Sequence, residues 1–319
     1  MSQATLVYRH PAFTGHNTGA HPENPGRIRA IDAELARRGL LADRPSPAWA
    51  PATREQIARV HDAALLDALE ELTRDGGGWL DADTEVLADS LGAARLAAGA
   101  GVAAVEAIRE GAATTAFVLG RPPGHHATST RAMGFCLLNT IAIAAAHGRA
   151  LGYGRVAIVD WDVHHGNGTQ DIFYERDDVL VCSTHRYGWP FFPGTGSAGE
   201  RGRGAGEGFT LNVPLRPGDG DEEVAAALTE RIVPAVERFA PELILLSAGY
   251  DAHVEDPLGG LRVTDAGFQA LAARTKALAD RVCEGRLIAV LEGGYAPRAL
   301  ARGVADTLAV LDGASHVSR

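Results

Sequence analysis

Five short runs in this chain are almost wholly apolar: TAFVLG (115–120), VAIVDW (156–161), VLVCST (179–184), LILLSAG (243–249) and LIAVLEG (287–293). A strand with one wet face alternates polar and apolar residues. These runs do not, so both of their faces must be covered. TLVYR (5–9) is a sixth candidate strand, and helical patterns lie between the runs at 138–151, 222–239 and 265–283, with more upstream at 25–38, 63–74 and 90–109. Strands that alternate with helices predict an α/β fold, with a central, mostly parallel sheet and helices on both faces. The glycine-rich stretch GTGSAGERGRGAGEG (194–208) reads as a mobile surface loop rather than a boundary. There is no internal repeat, and 319 residues that are 46% hydrophobic suffice for one large core, so the chain is read as a single domain over 1–319.

Charge narrows the partners. Forty acids face 30 bases for a net charge of −10, and Lys276 is the one lysine. That balance argues against nucleic acid and mildly favours cationic substrates. No N-terminal stretch has signal-peptide form, and no run approaches the roughly 18 apolar residues of a membrane span, so no membrane role and a cytoplasmic location are expected. Cys136, Cys182 and Cys283 lie far apart in apolar contexts, which predicts reduced, buried thiols and no cysteine zinc site. Histidine, at 12 residues, is the side chain to follow.

Ligands of open parallel sheets sit beyond the carboxyl ends of the strands. RPPGHHA (121–127) follows one apolar run, DVHHGNG (162–168) the next, YDAH (250–253) a third and GGY (293–295) a fourth. One polar strand ending is unremarkable; four make a site. Along VDWDVHH, alternation puts Asp160, Asp162 and His164 on one side and Trp161, Val163 and His165 on the other. Asp162 and His164 form a ligand pair, and Asp160, one step deeper, suits a supporting carboxylate or a second cation. A catalytic zinc takes about three protein ligands. Asp251 is favoured as the third, with His253 competing on the same spacing. Two carboxylates and one imidazole accept zinc, and Fe(II) as well.

The adjacent His125 and His126 follow a Pro-Pro-Gly turn, and a pair at this rim points to proton handling beside a metal. Asp160 and Asn167 are the candidates to fix their tautomers. Tyr295, on a glycine hinge, can donate to an oxyanion opposite the metal. Phe135 and Phe192, on glycine-flanked loops, can wall a narrow apolar channel.

Taken together, HPENPGR (21–27), RPPGHHA, GFCLLN (134–139), DWDVHHGNGTQ (160–170), HRYGWPFFPGTG (185–196), SAGYDAHVEDPLGG (247–260) and LEGGY (291–295) resemble the histone deacetylase superfamily, which includes acetylpolyamine amidohydrolases and bacterial deacetylase-like proteins. The match covers nearly the whole chain and looks like the class II branch. It implies an arginase/deacetylase fold and a zinc-dependent deacetylase acting on linear amides. It implies zinc at Asp162, His164 and Asp251, with Asp251 preferred to His253. His126 would be general base and then acid, His125 its electrostatic partner held by Asp160, and Tyr295 the group that polarises the amide carbonyl.

The same resemblance lines the substrate tunnel with Phe135 and Phe192 and has the Gly134 carbonyl accept the substrate N–H. Gly293 and Gly294 carry Tyr295, Arg27 lies in an inner pocket behind the metal, and His21 and Asp83 join the substrate-binding set. It implies structural potassium at Asp160, Asp162, His164, Ser183 and Thr184, and again at Phe173, Arg176, Val179 and Phe209. Class I enzymes have Asp where this chain has Asn167, so His126 should have a lower pKa here. A polyamine-selective branch carries Glu in place of Leu258, which favours N-acetyl-lysine, in a protein or as a small acyl-lysine-like molecule, over acetylpolyamines. Glu255, nearby, is the residue that could serve a cationic tail. A dimetal arginase-like hydrolase would need Asp in place of Gly166, and the intact His pair and Tyr295 speak against a non-catalytic acyl-binding protein. Oligomeric state is not legible.

Overall fold

A computed structural model describes residues 4–42, 44 and 47–313. The strands are β1 (Leu6–Tyr8), β2 (Gly77–Trp79), β3 (Glu85–Leu87), β4 (Thr115–Val118), β5 (Val156–Asp160), β6 (Val179–Arg186), β7 (Thr210–Leu215), β8 (Leu243–Ala248) and β9 (Leu287–Leu291). The helices are α1 (Gly26–Arg37), α2 (Arg54–Ile57), α3 (Ala63–Arg74), α4 (Ser90–Arg109), α5 (Thr140–Ala150), α6 (Asn167–Phe173), α7 (Asp221–Ala226), α8 (Val233–Phe239), α9 (Asp265–Val282) and α10 (Pro297–Leu311). Seven strands form one sheet in the order β1-β4-β9-β8-β5-β6-β7. Every pairing in it is parallel. β2 and β3 make a separate antiparallel hairpin.

Strand alternation divides the core in two. Val159, Cys182, Leu246 and Ala289 point to one face, against α1, α9 and α10. Ile158, Val181, Leu245 and Ile288 point to the other, against α4 and α5. This is why the central runs carry almost no polar residue until they end.

The sheet order adds what the sequence does not contain. β4, β9, β8 and β5 are consecutive neighbours, so the four polar endings converge. The chain runs outward from β5 through β6 to β7, then returns to the other side of β5 as β8. The crevice between β5 and β8 is therefore the switch point at which ligands of such sheets bind.

Several expectations need correction. β7, in TLNVPL, went unread because it is an edge strand interrupted by Pro214, whose missing N–H is tolerated only there. The helix expected at 222–239 is α7 and α8 joined by a π-helical turn at Ala227–Ile232. The stretch at 194–208 is tied down: Glu200 accepts the N–H of Gly196 and of Ser197, and the Arg203 N–H donates to the Tyr174 carbonyl. Finally, α4 is long and apolar enough to cross a membrane by length and composition, but 67% of that window is buried within the fold, the setting of a core helix.

Candidate active site

Asp160 ends β5, and the next residues leave the ladder through a chain of side-chain-to-main-chain bonds. Asp160 Oδ1 accepts the Asp162 N–H at 3.0 Å, and Asp162 Oδ1 accepts the His164 N–H at 2.9 Å. Each bond spans two residues, so alternation survives the end of the strand. Three residues past the end of β8, Asp251 accepts the Val163 N–H through Oδ1 at 2.8 Å. The result is one buried cluster: ligand atoms of Asp162, His164 and Asp251 lie within 4.8 Å of one another. His164 Nδ1 is 3.1 Å from both Asp162 Oδ1 and Asp251 Oδ2. His253 is elsewhere: its Nε2 lies 3.2 Å from Asp265, and its ring stacks on Phe268.

The cluster fits a cation. Asp162 and Asp251 are fully buried. Burial and the neighbouring Asp162 push Asp251 up to about 7. Burial alone would lower His164, yet its bonds to Asp162 and Asp251 hold it up at about 9. Two carboxylates in low dielectric thus call for positive charge between them. Glycine keeps the space clear: a Cβ at Gly249 would lie 2.0 Å from Asp162 Oδ2, and one at Gly293 would lie 2.1 Å from Asp251 Oδ2. The two-Asp, one-His donor set suits zinc or Fe(II). At Gly166 a Cβ would fall 2.4 Å from Asp160 Oδ2, so a second-metal Asp has no room there.

The His pair stands beside this cluster, with ring centroids 4.0 Å apart. His125 Nδ1 is 2.9 Å from Asp160 Oδ2. His126 Nδ1 is 2.8 Å from Asn167 Oδ1, while the Asn167 amide N–H reaches the His126 carbonyl. An amide oxygen only accepts, so His126 carries its proton on Nδ1 and leaves Nε2 as the basic nitrogen. Their environments push them apart. Burial would lower His125, but the carboxylates of Asp162, Asp160 and Glu292 hold it well above its usual value. Burial, with His125 and His164 alongside, holds His126 well below.

A pocket of about 260 Å³ opens over these groups, lined by Asp83, His126, Gly134, Phe135, His164, Pro190, Phe191, Phe192, Leu258 and Tyr295. Phe192 meets His126 edge-on at 4.9 Å, and Phe191 stacks on His164 at 5.0 Å. Gly134 and Phe135 both adopt left-handed backbone (φ 58° and 68°). For Phe135 that costs roughly 1–2 kcal/mol. Main-chain bonds between Met133 and Cys136 impose it, and the turn delivers Phe135 into the pocket. Burial keeps the Tyr295 phenol well above its usual pKa, so it remains a donor.

The remaining site candidates divide. His21 packs edge-on behind Phe135 at 4.5 Å rather than lining the pocket. Arg27 is fully buried, 5.2 Å from the Tyr295 ring centroid, with Nε donating to the Gly294 carbonyl at 2.8 Å. Asp160 and Ser183 are register partners on adjacent strands, and Thr184 follows Ser183. Phe173, Arg176, Val179 and Phe209 gather where α6, β6 and β7 meet; the Phe209 carbonyl accepts the Val181 N–H. Four residues went unread: Phe191, Glu23, Asp256 and Glu292. Asp256 Oδ2 accepts the Tyr295 N–H at 2.6 Å, and Glu23 accepts from Arg27 and Arg121. Each lies inside or beside a quoted motif, the only signal the sequence offered.

Fold and site together define an α/β protein of the arginase/deacetylase fold with a buried cluster at its switch point, Asp162, His164 and Asp251, whose ligand atoms are close enough to share one cation. The histone deacetylase domain matches residues 21–311, and the chain belongs to that family of deacetylases and amidohydrolases. It is 42% identical to histone deacetylase 14, chloroplastic, of Arabidopsis thaliana, over 98% of this chain and 78% of that protein. It is 43% identical to a histone deacetylase-like amidohydrolase of Pseudomonas aeruginosa, over 89% of this chain and 74% of the other. The crystal structure of the HDA15 HD domain superposes with a TM-score of 0.94 at 37% identity, covering 99% of this chain and 90% of that one.

Proposed function

We propose that this chain is a metal-dependent deacetylase, one catalytic domain over 1–319, that hydrolyses the acetamide of N-acetyl-lysine in a peptide or a small acyl-lysine-like molecule. The observation that carries this reading is one pocket of about 260 Å³ that combines apolar walls, a histidine with a defined basic nitrogen and a buried cation-seeking cluster. Asp162, His164 and Asp251 would hold the metal, zinc or Fe(II). Once bound, it supplies Lewis acidity, polarising the acetyl carbonyl and making water a better nucleophile.

This chain's own groups do the rest. Phe135 and Phe192 grip the acyl-lysine stem, and the Gly134 carbonyl accepts the amide N–H. His126 Nε2 takes a proton from the attacking water as the O–C bond forms. Tyr295, kept neutral by burial, donates to the oxygen on which charge develops. His126 then passes its proton to the amine as the C–N bond breaks, giving acetate and a free amine. His125, held by Asp160, keeps positive charge beside the site. Potassium at the two groups of residues named above belongs to the same reading.

Acyl-lysine is favoured over acetylpolyamine by Leu258 at the mouth and by the fate of Glu255, whose carboxylate is taken by Arg302 at 2.7 Å. The deciding experiment is an acetyl-lysine peptide and N-acetylputrescine assayed side by side with defined Zn or Fe(II) loading. The peptide should be cleaved faster. Faster cleavage of N-acetylputrescine would overturn the substrate assignment, and cleavage of neither the whole reading.

A further inference from the structure

The geometry points to Glu292 as a positioning residue: its side-chain oxygen holds the main chain of the His125–His126 turn in the place from which the imidazoles work. The inference rests on the function proposed above and adds a residue to it. Glu292 directly follows β9 and is fully buried. One oxygen, Oε2, accepts two N–H groups, from Gly124 at 2.7 Å and from His125 at 3.1 Å. That turn has left the sheet, since β4 ends at Val118; its His125 carbonyl accepts the Gly168 and Thr169 N–H groups of α6, and Glu292 takes its N–H groups.

Its other end is already anchored. Arg121 donates to Glu23 and to the carbonyls of Phe13 and His16. Glu292 anchors the end that carries the histidines. It also links them to the opposite side of the pocket, because Arg27 donates to the main-chain carbonyls of both Glu292 and Gly294, beside Tyr295. Glu292 therefore joins Asp256, which accepts the Tyr295 N–H, and the Gly168 and Thr169 N–H groups, which donate to the His125 carbonyl, in setting the spacing between the proton-carrying imidazole and the phenol. Displacing a reacting group by about 1 Å costs on the order of a hundredfold in rate.

Reach and charge separate the possible roles. Glu292→Gln keeps an oxygen at the same reach and removes the charge. Glu292→Asp keeps the charge and withdraws the oxygen by one methylene, about 1.5 Å. Positioning predicts that E292D loses at least about 30-fold in kcat with KM within about threefold of the parent, whereas E292Q, which withdraws only the charge that helps hold His125 up, loses at least about fivefold less than E292D. A Gln variant as impaired as the Asp variant, or more so, would overturn the proposal, and so would an Asp variant within threefold of the parent. If E292D does not fold, E292Q decides through hydrogen–deuterium exchange over 121–127: exchange as slow as the parent's supports the proposal, and quickened exchange overturns it. Hydrogen–deuterium exchange over 121–127 reads the placement without activity: it should quicken in E292D and not in E292Q, and equal exchange overturns the idea. A parent that cleaves no acyl-lysine substrate would sink the function instead, and the exchange comparison would still judge Glu292.

Discussion

Two pairs of adjacent histidines stand at this rim, and they are built to the same rule with different ends. In each pair one imidazole is bonded to carboxylate and pushed up: His125 by Asp162, Asp160 and Glu292 against its burial, and His164 by Asp162 and Asp251 against its own, a charge that a cation held by the same three side chains would replace. The other is bonded to neutral groups, and burial pushes it down: His126 beside Asn167, with His125 and His164 adding to the effect, and His165, lowered to about 4. What separates the two neutral imidazoles is access. His126 lines the pocket, while His165 is buried with Nδ1 on Thr195 and Nε2 on Gln170, so both its nitrogens are spent. Partner chemistry sets the charge of a histidine, and exposure to substrate sets whether that charge is used.

The sharpest way to break this comparison is to remove one member of each kind. His164→Ala should take deacetylation to background, on the order of 10⁴-fold or more, together with the bound metal, read by elemental analysis. Retained metal and activity would remove His164 from the ligand set. His126→Ala should lower kcat by about a thousandfold while the metal stays. His165→Gln should leave kcat within about threefold and instead cost about 1–3 kcal/mol of stability, through the unpaired Thr195 and Gln170 groups. If His165→Gln were as inactive as His126→Ala, access would not be the distinction.

The legible and illegible parts of the molecule divide on physical lines. The central strands were readable because burial on both faces removes polar residues from them, whereas β7, at the edge, is under no such demand. The placement of His164 on the side of Asp160 and Asp162 was readable although β5 stops at Asp160, because the two-residue carboxylate-to-amide bonds preserve its period. Sheet order was not readable, since adjacency of β9 to β4 is a contact between residues about 170 apart in sequence. Glu23, Asp256 and Glu292 were hidden for another reason: they bind main-chain N–H groups or arginines, and nothing in the pattern of side chains announces that.

A finer test changes one partner and leaves the imidazole. Asn167→Asp puts a carboxylate on His126 Nδ1 and favours imidazolium, so the His126 pKa should rise. The base form would then be lost at higher pH, and the acid limb of kcat/KM should move upward by about one unit. An unmoved limb would mean that His126 does not set it.

The smallest effect tests the same rule outside the active site. His61 Nδ1 lies 2.8 Å from the Thr128 carbonyl, and its Nε2 accepts the Asn139 N–H at 2.9 Å. One nitrogen must donate and the other accept, which only the neutral ring can do. Burial accordingly lowers its pKa to about 4, the Thr128 carbonyl opposing only in part. Between pH 6.5 and 4 the unfolded chain binds the proton more readily than the folded one, so stability rises with pH across that window. The contribution is complete above 6.5 and is lost as pH falls, about 3 kcal/mol in all. His61→Gln keeps a donor and an acceptor without titrating. Urea unfolding at pH 7.5 and 4.5 should therefore show the parent losing about 2 kcal/mol more than the variant. Equal losses would mean that His61 is not held neutral, and that neutral partners do not by themselves fix a histidine's charge in this fold.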